Sequence, residues 1–212
     1  MLSLAFECAG RGLSAALAED GQLIGTTQLD MDRGQPAALL PALHALLTAH
    51  RRNPSALERI GCTLGPGGFT GIRLGIAAGL GLARATGAVF HGFNAFDVYT
   101  LGDVDRRGLC IALESRRAEL FIRAYDTDGV SVLLNDEVLT PEDTQRRINV
   151  SRVLGSAAEK LNPTATNAEP NMAVLASFLS KASKNDALLT QSQNQATPLY
   201  LRAPEIGGGA KP

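Results

Sequence analysis

The sequence predicts an α/β protein of two related halves, on three observations. The chain opens as an antiparallel β meander, a short strand leads into a glycine-rich helix, and a fainter order of three strands and a helix recurs after residue 108. Leu2 to Cys8 reads as a buried strand, Leu13 to Ala18 as a second and Gln22 to Gln28 as a third, with Asp20-Gly21 as the hairpin signal between the last two. From Pro36 the apolar spacing turns helical. Leu39, Leu40, Leu43, Leu46 and Leu47 share one face, and Pro36 takes a permitted first-turn position. Arg51 to Pro54 ends that helix; Ile60 to Leu64 is a strand, Thr70 to Thr86 a second helix and Val89 to Gly92 a closing strand. The second half reads as strands at Leu109 to Leu113, Leu120 to Tyr125 and Val130 to Val138. A short helix follows at Pro141 to Arg147, opened by Thr140 as N-cap, and then a strand candidate at Val150 to Gly155. Asn162 to Asn171 is a loop, and Met172 to Ser183 a helix with Val174, Leu175, Phe178 and Leu179 inward. The tail from Ile206 is expected to be disordered.

Composition narrows the function. A chain of 212 residues suffices for one large domain or two lobes with a real core. Acidic and basic side chains nearly cancel, 21 against 20, so no overall basic field exists to hold a nucleic acid backbone, and any RNA must be gripped mainly by a partner. Cys8, Cys62 and Cys110 stand far apart inside apolar runs, which suits buried thiols of a reducing compartment, with the cytoplasm as the expected address. The segment Met1 to Glu7 carries no basic leader and reads as neither signal nor transit peptide. The longest low-charge stretch, Leu74 to Val89, is interrupted by Arg84 and is too short and glycine-rich to span a bilayer.

The most informative stretch runs from Gly65 to Gly75 and on into the helix. Gly67, Gly71, Gly75 and Gly79 are each four apart, a spacing that gathers them into one ridge. Interior glycine costs roughly 0.8 to 1 kcal/mol relative to alanine, so Gly71, Gly75 and Gly79 together forgo about 3 kcal/mol. Close approach of another backbone must compensate, either a strand of the same sheet or a helix of another subunit. The loop is a weak phosphate cradle. Gly-Lys-Ser/Thr is absent, and three residues separate Gly67 from Gly71, which breaks the dinucleotide spacing. No histidine pair four apart, paired cysteines or Gly-x-Ser-x-Gly occurs, which leaves neither a metal set nor a nucleophile arrangement. Glu7 stands where many α/β folds place a functional carboxylate, although such a strand-end glutamate is more often structural or solvated. Glu114 to Glu119 reads as a charged, solvated turn between two strands, and Arg73 is expected to form an internal ion pair with Glu7 or Glu114.

Gly65, Pro66, Gly67, Phe69, Thr70, Gly71, Arg73 and Gly75 resemble the signature of the TsaB/YeaZ family, whose members work with a paralogous transferase, TsaD, in making threonylcarbamoyladenosine in tRNA. Leu4 to Glu7, Leu39 to Pro41, Ile111 to Arg116 with Glu119, and Pro198 to Arg202 continue the resemblance in the family's order, with Glu114, Arg116 and Glu119 as its second-half anchors. The resemblance implies a duplicated actin-like, ribonuclease-H-like (ASKHA) fold. Its first lobe would be 1–104 with the dimerisation helices, its smaller second lobe 105–185, and 186–212 a segment returning to the first lobe and a disordered tail. It further implies a non-catalytic scaffold without catalytic, cofactor or metal residues of its own, ATP and a metal belonging to the partner subunits. Expected partners are a TsaD-like transferase, a TsaE-like ATPase docking on that pair, tRNA mainly through the transferase, and a second copy when the chain is alone; no membrane is expected. The implied interface is Leu39, Leu40, Leu43, Leu46 and Leu47 on the first helix and Thr70, Gly71, Leu74, Gly75, Gly79 and Leu82 on the second, so that the ridge gains its compensation between subunits. Departures from the pattern are Glu7-Cys8 for Asp-Thr, Gln35 for histidine, Gly68 for serine and Glu114 for aspartate, each of which argues against nucleotide hydrolysis by this chain alone. The alternative is a small ASKHA-type phosphotransferase or ATPase using the glycine loop for phosphate and Glu7 for the metal. A glycoprotease reading lacks a metal pair or nucleophile triad.

Overall fold

Strand β1 (Leu2–Glu7) is buried at every position, as only a strand covered on both faces can be. The computed structural model describes residues 1–102, 104–149 and 152–203; the tail from Ile206 and the first residues of the Val150 strand candidate lie outside them. After β1 come β2 (Leu13–Glu19), β3 (Gln22–Leu29), α1 (Gln35–Ala49), β4 (Leu57–Thr63), α2 (Phe69–Thr86), β5 (Val89–Phe93) and α3 (Ala95–Tyr99). The chain continues through β6 (Leu109–Glu114), β7 (Leu120–Tyr125), β8 (Val132–Leu139), α4 (Pro141–Arg147), β9 (Arg152–Leu154), α5 (Met172–Lys181) and α6 (Ala187–Ser192).

The first sheet has the order β3-β2-β1-β4-β5, antiparallel through the meander and parallel from β1 to β5. Alternation along β1 sorts its side chains. Leu2, Leu4 and Phe6 join a core with Leu39, Leu43, Leu46 and Leu47 of α1 and Ile72 and Ile76 of α2. Ala5, with Ala16 and Ala18 of β2, meets Leu175, Ala176 and Leu179 of α5 on the other face. The small strand residues let α5 approach closely: a Cβ on Gly61 would stand 2.5 Å from Leu179 Cδ1. Buried Arg59 of β4 donates to the carbonyls of Leu179 (2.6 Å) and Ala182 (2.9 Å), satisfying the last turn of α5 with a cation where the helix end favours one.

That packing corrects the division at residue 185. Met172–Lys181 follows the second sheet in sequence yet rests on β1, β2, β3 and β4 of the first. Its inward residues are Met172, Leu175, Ala176, Leu179 and Ser180, with Val174 and Phe178 half-buried.

The second sheet has the order β8-β7-β6-β9, with β9 parallel to β6. One face packs Cys110, Ala112, Leu120, Ile122 and Leu134 against the segment from Val153 to Leu161. The other packs Ile111, Leu113 and Phe121 against Ala95, Phe96 and Tyr99 of α3. Two short helices, α3 and α6, escape the sequence reading because five or six residues carry no full apolar period. Both are capped, α3 by Asn94 and α6 by Asp186. The Arg123 guanidinium of β7 bridges Asp97 of α3 (2.5 Å) and Asp136 of β8 (2.6 Å), tying α3 to the second sheet. On the first sheet, buried His91 of β5 places Nδ1 3.0 Å from Ser192 Oγ of α6, and burial followed by the Arg59 charge pulls its pKa down to about 4, so the ring is neutral. All three cysteines are free and buried, and burial pushes the Cys110 thiol up to about 12. Among the described residues no helix is long and apolar enough to cross a membrane.

Candidate functional site: the glycine loop, the inter-sheet cleft and the outer helix faces

The loop after β4 is tied by backbone hydrogen bonds to the segment after β1, to the start of α3 and to the segment at Leu199. Gly68 N–H donates to the Ala9 carbonyl (2.7 Å), Ala95 N–H donates to the Gly65 carbonyl (2.8 Å), and Leu199 N–H donates to the Leu64 carbonyl (2.7 Å). A Cβ on Gly71 would stand 2.0 Å from the Cys8 carbonyl oxygen and 2.7 Å from Ala9 Cα. On Gly79 it would stand 2.4 Å from the Phe90 ring, and on Gly75 3.3 Å from Cys8 Sγ. The ridge is therefore matched to the chain's own first sheet, which replaces the expectation that packing between subunits compensates it.

The interface residues read from the sequence divide accordingly. Leu39, Leu43, Leu46, Leu47, Gly75 and Gly79 are buried inside the chain. They have no surface to offer a partner. Gly71, Leu74 and Leu82 are half-buried, and Leu40 and Thr70 are exposed. The solvent side of the adjacent helices presents Leu40 (52% exposed) and Leu80 (42% exposed) among exposed Ala37, Pro41, Ala77 and Gly81. Leu80 was not among the expected interface residues. The signal for it is the spacing: Leu80 stands three from Ala77 and four from Arg84, and all three are exposed.

Arg73 makes a different contact from the expected ion pair. Its guanidinium lies 3.8 Å from the centroid of Phe69, and its Nε donates to Tyr200 Oη at 2.9 Å. Phe69 and Tyr200 stack with centroids 4.5 Å apart. Cation–π attraction and stacking thus replace a carboxylate as the arginine's partner. Two residues on, Arg202 meets Glu119 at 2.8 Å. Phe69, Arg73 and Glu119 of the motif serve to fasten Leu199–Arg202 across the start of α2 and the turn between β6 and β7. That turn is itself structured: Glu114 pairs with Lys160 at 2.6 Å and accepts from Arg116 N–H at 2.7 Å, and Ser115 Oγ donates to the Glu119 carbonyl.

Between the two sheets lies a cleft of ≈ 610 Å³ whose wall includes Glu7, Tyr99, Glu114, Arg116, Lys160 and Glu169. Pro66 and Gly67 form its edge, so the glycine loop separates it from a smaller cavity of ≈ 330 Å³ by Thr70, Arg116, Arg117 and Tyr200. Glu7 is not solvated, and among the described residues no cation pairs with it. It is buried, and its Oε1 accepts from the backbone N–H groups of Ala9 and Gly10, the latter at 2.9 Å. Burial dominates over those two hydrogen bonds and pushes its pKa up to about 7. Among the described residues no group of three or more His, Cys, Asp or Glu side chains is placed to hold a metal ion.

A family model described as TsaD, tRNA N6-adenosine threonylcarbamoyltransferase, matches residues 32–202. The chain belongs to that family. Within it, this chain is a TsaB/YeaZ homologue. It is 27% identical over 154 residues to the tRNA threonylcarbamoyladenosine biosynthesis protein TsaB of Escherichia coli strain K12, a match that takes in 70% of this chain and 66% of that relative's length. YeaZ from Pseudomonas aeruginosa superposes with a TM-score of 0.70 at 21% identity, covering 94% of this chain and 99% of that one. A second Pseudomonas aeruginosa structure, of an uncharacterized protein with similarity to peptidase YeaZ, gives 0.71 at 22% identity over 95% and 99% of the two chains. The homologue thus has the actin-like ASKHA-type fold: two mixed sheets flanked by helices.

Proposed function

We propose that this chain is a non-catalytic subunit of the machinery that installs threonylcarbamoyladenosine beside the anticodon of tRNAs, binding and activating a TsaD-type transferase through the outer faces of α1 and α2. The observation that carries this reading is the apolar surface of Leu40 and Leu80, set among alanine, proline and glycine on two adjacent helices and bounded on α2 by the exposed Arg73 and Arg84. An apolar patch of that kind on a charged protein favours a partner's surface over water. The outer glycine, Gly81, has open space around its Cα, which lets a partner backbone come close. The family match supports the pathway, and the absence of any strong basic field supports leaving tRNA mainly to the partner. A TsaE-like ATPase docks on the pair, ATP and metal are held by those subunits, and the same face closes a homodimer when the chain is alone, all in the cytoplasm.

The phosphotransferase alternative is disfavoured by the loop it would use. The glycine loop carries no Gly-Lys-Ser/Thr, and its Gly68 N–H is spent on the Ala9 carbonyl instead of a phosphate.

The test is light scattering on this chain alone and mixed with the transferase paralogue of the same organism. Wild type is expected to form a one-to-one complex. Leu80→Glu and Leu40→Glu, which change only exposed positions, are expected to weaken it by about 2 kcal/mol or more, roughly thirty-fold, without moving the melting temperature. Unweakened binding by both variants refutes the assigned face.

A further inference from the structure

We propose that the transferase partner meets the outer face of α1 and α2 with carboxylates on both sides of an apolar centre, one group seated at Arg116 in the cavity where the two helices start and another at Arg84. The partner chemistry so assigned rests on the reading of that face as the transferase-binding surface.

Charge is segregated on this chain. Over the whole sequence acidic and basic side chains nearly cancel, 21 against 20, yet α1 carries no Asp, Glu, Lys or Arg, and α2 carries Arg73 and Arg84 with no carboxylate. The cavity of ≈ 330 Å³ continues the pattern: Arg116, Arg117 and Arg202 stand in its wall, and no Asp or Glu does. The exposed stripes of both helices begin there. Pro36 and Thr70 line the cavity, and Leu40 lies four residues on from Pro36. Arg73, Ala77, Leu80 and Arg84 follow Thr70 in steps of three and four, all of them exposed. Thr70 and Arg84 are about 21 Å apart along the helix, too far for one side chain to serve both, so the partner needs carboxylates in two places. Leu40 and Leu80 fill the space between.

The chain's own carboxylates nearby are committed elsewhere. Glu114 takes Lys160 at 2.6 Å and the Arg116 N–H at 2.7 Å, which leaves the Arg116 guanidinium without a carboxylate among the described residues, and Arg84 has none either. Glu119 is held by Arg202 at 2.8 Å and stands outside the cavity wall, while Asp32 faces Arg11 at 3.9 Å in the larger cleft beyond the glycine loop. Arg73 sits over Phe69 rather than against an acid. Every cation of α1, α2 and the cavity wall is an arginine, whose planar fork suits carboxylates at an interface. Like charges gathered on one face of a nearly neutral protein steer an oppositely charged partner and fix its register. A nucleic acid fits this face less well. Its phosphates would lie against Leu40 and Leu80, and neither helix offers an exposed aromatic ring for a base to stack on.

The experiment measures binding of the full chain to the transferase paralogue of the same organism by surface plasmon resonance, at about 50 mM and about 500 mM sodium chloride. Wild type is expected to lose about ten-fold or more in affinity at the higher salt, chiefly through slower association. Arg84→Gln and Arg116→Gln, both at exposed positions, are each expected to weaken the complex by about three- to ten-fold at low salt and to approach wild type at high salt. Leu80→Lys and Leu80→Glu lose the same apolar contact and differ in the sign of the charge they add. The lysine variant is expected to bind about ten-fold more tightly than the glutamate variant. Salt-independent affinity, arginine variants that both bind like wild type, or equal losses in Leu80→Lys and Leu80→Glu would overturn the acidic partner surface while leaving the face as the binding surface. No wild-type complex at either salt would overturn both. Unfractionated tRNA is the competing polyanion: if it binds the isolated chain through Arg84 and Arg116, and substituting them leaves the transferase complex intact, the arginines serve nucleic acid and the proposal falls.

Discussion

Alanine at Gly71 and alanine at Gly81 should move stability in opposite directions, although both are interior glycines of one helix. A Cβ at Gly71 falls short of ordinary contact with the Cys8 carbonyl by about 1.4 Å, and the obstacle is backbone of the central strand, which cannot rotate away as a side chain can. Either α2 lifts from the sheet at its first turn or β1 bends. Overpacking of this kind costs roughly 1 to 3 kcal/mol, against a gain of about 0.8 to 1 kcal/mol from helix propensity, leaving a net loss of up to ~2 kcal/mol. At Gly81 nothing stands within 4 Å, so only the propensity gain remains, about 0.8 to 1 kcal/mol of stabilisation. Urea unfolding of wild type and the two variants measures both. Equal stability of Gly71→Ala and wild type, with the complex to the transferase lost instead, would show that the ridge serves a partner and that its fit to the sheet is incidental.

Three further outcomes follow from single contacts. Glu7 has a folded-state pKa of about 7 against an ordinary 4.5, so its contribution is fully present below pH 4.5 and lost as pH rises through 7, a penalty of about 3 kcal/mol at pH 8. Glu7→Gln should therefore stabilise the protein at pH 8 and change little at pH 4.5, by urea unfolding at both; a larger gain at the acidic pH would contradict the sign. Tyr200→Ala removes the Phe69 stack and the Arg73 hydrogen bond and should cost about 1 kcal/mol while speeding hydrogen exchange at Leu199; Tyr200→Phe keeps the stack and should lose less. Arg59→Met leaves the carbonyls of Leu179 and Ala182 without their donor and should cost about 1 to 3 kcal/mol, with faster exchange concentrated in the last turn of α5. Uniform exchange across the chain would show that Arg59 does not act through that helix end.

Order and type of the long elements were legible because each carries its own period. The meander β1 to β3 was read from one buried strand and two more around an Asp-Gly turn, each ending one residue from the observed end, and α4 from Thr140 and Pro141 with both ends as observed. What a helix packs against is not written in its own period. The α5 segment shows an apolar face that fits either sheet, and its choice of the first rests on Ala5, Ala16, Ala18 and Gly61, small residues more than a hundred positions away whose meaning appears only once they are aligned across three strands. Arg73 is a similar case. Its partner Tyr200 lies 127 residues on, in a segment without regular structure, and a search for an opposite charge could not find an aromatic ring.

The glycine ridge shows why a correct motif can still mislead about surface. Four-residue spacing establishes that the small residues share a face, and the forgone 3 kcal/mol or so establishes that something closely packed must meet it. Neither establishes whether the neighbour belongs to the same chain. Burial settles that: Gly75 and Gly79 face Phe6, Phe90 and Cys8, and Leu39, Leu43, Leu46 and Leu47 of α1 share the same core, so a partner can meet only the opposite side of each helix. The face left to it is poorer in large residues than the one first expected, with Leu40 and Leu80 as its large apolar side chains among the described residues of α1 and α2. An interface so sparing in side chains must draw on close backbone approach over Ala37, Ala77 and Gly81, and it should be more sensitive to added bulk at Gly81 than to truncation of either leucine. Gly81→Leu is accordingly the variant expected to abolish the complex while the fold persists, and a complex that survives it would place the partner elsewhere on the molecule.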